Sequence, residues 1–367
     1  MGLSAGVRKA RELGRRSLSL AVRRPGMVVP RARYPSRPVD GVLVLQRGPN
    51  PSTDYYLRPR LAGGDAPLEV LDLADPPAAS ALLAPGGPGS LMVVACRYAD
   101  PRWLDALEAA RGRLARAAFF MDDDLPGMMA DAALPRAARG KVALHFGEHV
   151  ERLGALAGEV WVSTAALAER YPASRPAVLA PVPEAEPPAP GPDAPLRAVY
   201  HGTDVHGAER RFVLEVAARL AALVPEARVE LTGDAALRRE AAGLGNVEVE
   251  PQLPWPAFLE RQRGRRAAVS LAPLFPSAVN DARAPVKAFD AARLGAAGLY
   301  ADAPAYRGFV RDGVDGLLLP MRADAWAEAV AGLLRDPVRR LELARAAQAR
   351  LVALWREPGP LPPAPAA

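Results

Sequence analysis

Cysteine is nearly absent from this 367-residue chain. Cys96 is the only one, so no disulfide can form within the chain and a reducing compartment is expected. It follows the apolar run 91–95, which reads as the end of a buried strand rather than a reactive thiol. Aromatic residues are scarce at 6%, which does not suggest a stacking platform for single-stranded nucleic acid. No stretch approaches the ~20 apolar residues of a membrane-spanning helix. The first residues lack the continuous apolar core of roughly 7–15 residues that a secretory signal requires. Lysine is rare too: only Lys9, Lys141 and Lys287 stand among 47 Lys/Arg residues.

The basicity that does exist is local. The isoelectric point is near 9.7, yet residues 1–40 hold ten Lys/Arg and two Asp/Glu, while the rest of the chain has 37 basic and 39 acidic residues. A nearly neutral body argues against a surface that tracks phosphates. In the arm, Leu3, Val7, Ala10, Leu13, Leu18 and Ala21 fall near helical spacing, with Arg8, Lys9, Arg15, Arg16 and Arg23 over much of the remainder. Such a segment can lie on an anionic membrane surface; the plainer reading is a solvated extension. The expectation is a cytoplasmic protein, with peripheral contact at the inner membrane through residues 1–24 as an option.

Beyond the arm, short apolar runs alternate with helical patterns. The stretches 42–46, 68–73, 91–95, 117–121 and 160–162 read as strands, and 103–115 and 164–171 as helices. Residues 181–195 then carry seven prolines in fifteen positions, a stiff extended linker. The alternation restarts with strands at 196–200, 228–231, 246–250, 267–271, 298–301 and 316–319. Its helices are placed at 210–223, 256–263, 285–294, 323–334 and 337–355. This predicts an α/β protein with two doubly wound parallel sheets, one on each side of the linker. Ligands in such sheets bind beyond the carboxyl ends of the strands, so the loops there are where chemistry is sought.

The densest constellation is Asn280-Asp-Ala-Arg283-Ala-Pro285-Val-Lys287-Ala-Phe-Asp290. Pro285 suits a first helical turn, where its missing N–H costs nothing. Lys287 and Asp290, three apart, share a helix face. Free N–H groups there favour an anion, Lys287 adds a full charge, and Asp290 can accept ribose hydroxyls. In a chain so biased to arginine, a lysine at that position is a functional hint; the plainer reading is a surface ion pair. A second segment, Tyr200-His-Gly202-Thr203-Asp-Val-His206-Gly207, follows a strand, and its glycines let backbone approach a phosphate or sugar. Thr203 and His206 can donate hydrogen bonds. Asp122-Asp123-Asp124 ends a strand and suits proton transfer or metal binding, or else a helix cap. His145-Phe-Gly-Glu148-His149 matches a zinc-peptidase pattern literally, but Gly147 weakens the helix that would align the two histidines, and no third ligand can be named. Asn50-Pro-Ser-Thr-Asp54-Tyr55-Tyr56, after the first strand, suits a sugar or an ordinary loop.

The second half resembles the family 4 (group 1) glycosyltransferases of bacterial cell-surface polysaccharide synthesis, in a subgroup opening Y-x-G-T-x-x-H. The later family pattern is P-L…N-x-x-K-S-x-x-K-x-x-E, a tyrosine, then d-G-x-x-G-l-l. Here stand Tyr200, Gly202, Thr203 and His206; Pro273, Leu274, Asn280, Arg283, Lys287 and Asp290; Tyr306; and Asp312, Gly313, Gly316, Leu317 and Leu318. Val160-Trp-Val-Ser-Thr164-Ala-Ala-Leu167 is similar to the family's v-x-v-S-T-x-x-L junction, and Phe119-Phe-Met-Asp122-Asp123-Asp124-Leu125 to its y-x-i-D-D-d-L segment. Arg283-Ala284 replaces Lys-Ser, and Asp290 replaces the ribose-holding Glu with a side chain one methylene shorter.

The resemblance implies a GT-B fold, two Rossmann-like doubly wound domains facing across a cleft. With the basic arm 1–40 and the linker 181–195 read above, it implies an acceptor domain 41–180, a nucleotide-sugar domain 196–336 and a C-terminal helix and tail 337–367. It implies transfer of a hexose-type unit from a nucleotide diphosphate sugar to a glycan or glycolipid acceptor hydroxyl in envelope polysaccharide synthesis, with retention of configuration. Lys287 and Arg283 would hold the diphosphate, Asp290 the ribose, and Gly202, Thr203, His206 and Asn280 would line the donor site. Asp122 or Asp123 would contact the acceptor or the transferred sugar. No metal, cofactor or nucleic acid is implied. The Ala284 and Asp290 departures keep a second reading open, a catalytically silent GT-B binding or scaffold protein in envelope assembly.

Overall fold

The computed structural model describes residues 26–203 and 205–364, so the amphipathic arm 1–24 lies outside the described residues. The chain forms two compact units. One runs up to Pro181 and includes the tail from Gly359; the other is Val182–Pro358. Among the described residues no helix is long and apolar enough to cross a membrane.

The first unit is built on β1 (Gly41–Gln46), β2 (Leu68–Asp72), β3 (Leu91–Cys96), β4 (Leu114–Met121), β5 (Glu159–Val162) and β6 (Ala177–Val178). All pair in parallel, in the order β2-β1-β3-β4-β5-β6. Parallel neighbours require crossovers, and helices on both faces bury most of each central strand. That is why Gly-Val-Leu-Val-Leu-Gln in β1 shows no polar–apolar alternation: all six residues are buried.

The second unit repeats the plan with β7 (Arg197–Tyr200), β8 (Arg228–Gly233), β9 (Val247–Pro251), β10 (Val269–Ala272), β11 (Ala297–Ala301) and β12 (Leu317–Leu319). These are parallel in the order β12-β11-β10-β7-β8-β9. The helices Gly207–Leu223 and Ala323–Arg335 pack on each other. Trp326 is fully buried there, edge-on to Phe212 at 5.5 Å between ring centroids. In both sheets the order reverses beside the first strand, between β1 and β3 and between β7 and β10. Successive crossovers leave opposite faces at such a point and open a crevice at the strand ends.

Three expectations shift. The helix expected over 103–115 is Pro101–Ala109, capped by Asp100, whose side chain accepts the Arg102 N–H at 3.0 Å. A 3₁₀ turn over Arg111–Arg113 follows, and β4 begins at Leu114. Gly112 weakens the helix there, and Leu114 is worth more buried beside Leu91 in the sheet. The helix expected over 285–294 is Lys287–Arg293; Pro285 precedes it, with its carbonyl accepting the Ala288 N–H at 3.0 Å. The Pro-rich segment belongs to the second unit from Val182 on. An extended proline-rich chain satisfies none of its own carbonyls. Arg340 serves Pro192 O at 3.1 Å and Gln348 serves Pro187 O at 3.2 Å.

Candidate functional site

In the second unit, β7 ends at Tyr200 and the chain turns at once. A side chain at Gly202 would put its Cβ 2.6 Å from the Tyr200 hydroxyl, so only glycine fits. Gly202 donates its N–H to Thr232 Oγ1 at 3.0 Å, and its carbonyl accepts from that hydroxyl at 2.8 Å and from Arg210 at 3.0 Å. Its backbone is therefore committed to holding the loop. Thr203 is exposed, and its carbonyl accepts the His206 N–H at 3.0 Å as the helix Gly207–Leu223 starts.

Glu209, in the first turn of that helix, is buried and ties two loops together. One carboxylate oxygen accepts the Phe275 N–H at 3.5 Å, and the other lies 3.8 Å from His206 Nδ1. The loop after β10 is braced by Ser277, which caps Ala278–Asp281 through the Asn280 N–H at 3.1 Å, and by Asn280, whose side chain donates to Phe275 O at 2.8 Å. Arg283 then lies 3.3 Å from His206 Nε2. A guanidinium only donates, so Nε2 is the acceptor and the ring proton sits on Nδ1, toward Glu209. Burial lowers the His206 pKa; Glu209 opposes the shift, and Arg283 and Lys287 reinforce it. Arg283 Nε is buried with no hydrogen-bond partner among the described residues.

Lys287 donates to His201 O and to Asp290 Oδ2 at 2.9 Å. Asp290 Oδ1 accepts from Arg293 at 2.7 Å, and Arg293 in turn reaches Glu184 at 2.8 Å. Burial alone would raise the Asp290 pKa, but Lys287 and Arg293 outweigh it and hold the carboxyl well below the usual range. Asp290 is only 8% exposed and both its oxygens are engaged. Each oxygen keeps a second lone pair, so a ribose hydroxyl would have to share a carboxylate that already fixes Lys287. Seven of the expected residues thus lie on the segments that follow β7 and β10, where the sheet order reverses: Gly202, Thr203, His206 and Arg283 outside helices, Asn280 in the short helix Ala278–Asp281, and Lys287 and Asp290 in the helix Lys287–Arg293.

Asp122 and Asp123 belong to the first unit, just past β4. Arg97, directly after β3, lies 3.3 Å from Asp122 and 3.2 Å from Asp123. Ser52 donates to Asp122 Oδ2 at 2.6 Å, and Ser163 to the Asp122 carbonyl at 2.6 Å. Burial raises the Asp122 pKa, Arg97 pulls it down, and Asp123 adds to the rise. Arg97 adopts φ +68°, a left-handed conformation that costs a side-chain-bearing residue roughly 1–2 kcal/mol and is held here by its ion pairs. Asp124 is a cap: its side chain accepts the Gly127 N–H at 2.9 Å and is reached by Arg170 and Tyr171. Cys96 is buried, and burial pushes its thiol up to about 12. His145 ends the helix Arg136–His145, while His149 sits in a separate 3₁₀ turn, Gly147–His149. The zinc-type spacing is therefore not carried on one continuous helix.

Three further participants, Glu209, Arg97 and Arg293, stand outside the sequence motifs. Glu209 is signalled by His206-x-x-Glu209, spaced like a capping pair at a helix start. Arg97 is signalled by its place at a strand's carboxyl end. Arg293 stands three residues after Asp290, a helical spacing that signals that ion pair, whereas its other partner, Glu184, meets it only through the fold.

The architecture is the GT-B fold, two Rossmann-like units each with its own parallel sheet. A solved structure similar to it is Anabaena HepE in complex with UDP-glucose, at TM-score 0.52 and 15% identity over 87% of this chain and 97% of that one. The same protein with UDP and glucose gives 0.51 and 16% over 86% and 97%. Staphylococcus aureus TarM, in a complex containing UDP, gives 0.49 and 10% over 73% of this chain and 52% of its own, so this chain spans about half of TarM. No family model and no curated protein sequence matches the chain.

Proposed function

We propose that this protein is a glycosyltransferase that moves a hexose-type unit from a nucleotide diphosphate sugar to a hydroxyl of a glycan or glycolipid acceptor in envelope polysaccharide synthesis, with retention of configuration. One observation carries the reading: Arg283, Lys287 and His206 converge where the segments after β7 and β10 meet, in a unit whose strand order is that of dinucleotide-binding sheets. Two fixed cations beside a neutral histidine suit a diphosphate, whose negative charge grows as the glycosidic bond breaks. Asp290 and Arg293 hold Lys287 in place, so its charge is presented without reorganisation. Asn280 and Gly202 shape the loops, and Thr203 is exposed to reach a donor. The binding of UDP-glucose by HepE supports this reading. Asp122 or Asp123, with Arg97, would face the acceptor or the transferred sugar.

The engagement of both Asp290 oxygens favours a second reading, a silent GT-B scaffold. Titration calorimetry with UDP and GDP, joined to a hydrolysis assay over common nucleotide sugars, separates the two. The enzyme reading expects at least tenfold weaker nucleotide binding in Lys287→Ala, about 1.4 kcal/mol or more, and turnover of one donor by the wild type. Nucleotide binding without turnover of any donor selects the scaffold. Equally poor binding by wild type and variant removes the donor site altogether.

A further inference from the structure

The first unit has a second polar site, at the opposite end of its sheet from Asp122 and Asp123. Residues 26–39 hold Arg31, Arg33 and Arg37 and no acid. Arg31 and Ala32 donate their N–H groups to Gly154 O at 2.8 Å and Ala157 O at 3.1 Å, and Arg37 reaches Gly112 O at 2.9 Å. The segment therefore lies beside the chain that enters β5 and β4. Between it and the first residues of both strands is a cavity of about 240 Å³, whose lining includes Arg33, Tyr34, Ser36, Arg116, Glu159 and Ala364. Tyr34 is set by its hydroxyl, which donates to Leu156 O, and by Gly158, where a Cβ would come within 3.2 Å of the ring. At ~30 Å³ per water the space holds roughly eight waters, room for a phosphate carrying a few carbons.

The charge around the cavity is one-sided. Glu159 is the only acid of the lining, and Arg116 neutralises it by donating to both carboxylate oxygens. Arg33 is exposed, and its hydrogen bond goes to the adjacent Ala32 carbonyl at 3.2 Å. Arg37 and Arg111 likewise bond to backbone carbonyls, those of Gly112 and Ala155. Among the described residues none of these three guanidiniums has a carboxylate partner, so their fields add around the cavity. Three such charges favour a dianion over a monoanion, and a guanidinium with the Ser36 hydroxyl on the same wall suits phosphate oxygens.

We propose that this cavity binds a phosphate monoester, with Arg33 and Ser36 as its main contacts. The site does not depend on the glycosyltransferase reading. Ligand-observed NMR of the full chain with glycerol 3-phosphate and neutral glycerol tests it. The ester should bind, and glycerol should bind at least tenfold more weakly. Arg33→Ala should weaken the ester tenfold or more and Ser36→Ala severalfold, while Arg33→Lys should keep part of the affinity. Both positions are exposed, so these variants should fold as the wild type does. Arg15→Gln with Arg16→Gln, and separately Lys287→Ala, should leave the affinity unchanged, which separates the cavity from the basic arm and from the donor segments. Flotation of the full chain with phosphatidate vesicles tells the two sources of the ester apart: flotation reduced in Arg33→Ala assigns a lipid headgroup, and no flotation assigns a free ester. No binding of the ester, equal binding of glycerol, or unchanged binding by Arg33→Ala would each overturn the proposal. So would binding that appears only after residues 365–367 are removed, because those residues would then fill the cavity. UDP titration is read separately, so loss of the donor reading alone stays distinguishable.

Discussion

His206 sits where an added proton is most costly. Arg283 needs its Nε2 as an acceptor, and protonation would place a third cation beside Arg283 and Lys287. Its folded pKa lies below the unfolded value of about 6.5. The unfolded chain therefore binds more protons as pH drops below that value, and the stability present above about 6.5 is lost as pH falls toward the folded pKa. The wild-type thermal midpoint is expected to fall more between pH 7 and 5 than that of His206→Gln. Parallel curves for the two proteins would mean another group titrates. Asp290, depressed by Lys287 and Arg293, acts lower: its contribution is complete above about 3.9 and is lost as pH falls through its folded value. Asp122 has the opposite sign, since burial raises it and favours the protonated fold at low pH. At this scale Lys287 and its helical neighbour Asp290 are legible in the sequence, because their pairing needs only helical spacing. Arg293 with Glu184 is not, since 109 residues separate them.

Loops, more than strands or helices, decide what the second unit can bind. Gly202 reads as an invitation to a phosphate, yet the fold gives it a mechanical reason: Tyr200 occupies the space a Cβ would need. Gly202→Ala is therefore expected to destabilise the protein by about 1–3 kcal/mol through overpacking, seen as a lower urea midpoint. A variant as stable as wild type would leave the glycine to a ligand. The strands were legible because fully buried runs leave an unbroken apolar signature. The ends of the helices were less so. The Pro101–Ala109 helix stops because Leu114 is claimed by the sheet, a competition no local pattern records.

At the scale of the whole molecule, each unit carries its polar cluster at its own point of strand-order reversal. The Pro-rich segment is a packed part of the second unit, held through Glu184, Glu186, Pro187 and Pro192. A glutamate-specific protease should leave Glu184 and Glu186 uncut in the native wild type, and cut there at least tenfold faster in Arg293→Ala combined with Gln348→Ala. Equal rates would return the segment to the status of a free linker. By itself, the sequence determined the two-sheet architecture, the loops to inspect and the Arg283–Lys287–Asp290 spacing, because apolar runs and helical periodicity are local quantities. Only the tertiary structure decided that Arg293 also reaches Glu184, that Glu209 joins His206 to the Phe275 N–H, and that Arg97 pairs with Asp122 and Asp123. Charges interact through space, and the chain reveals their distances only when it is folded.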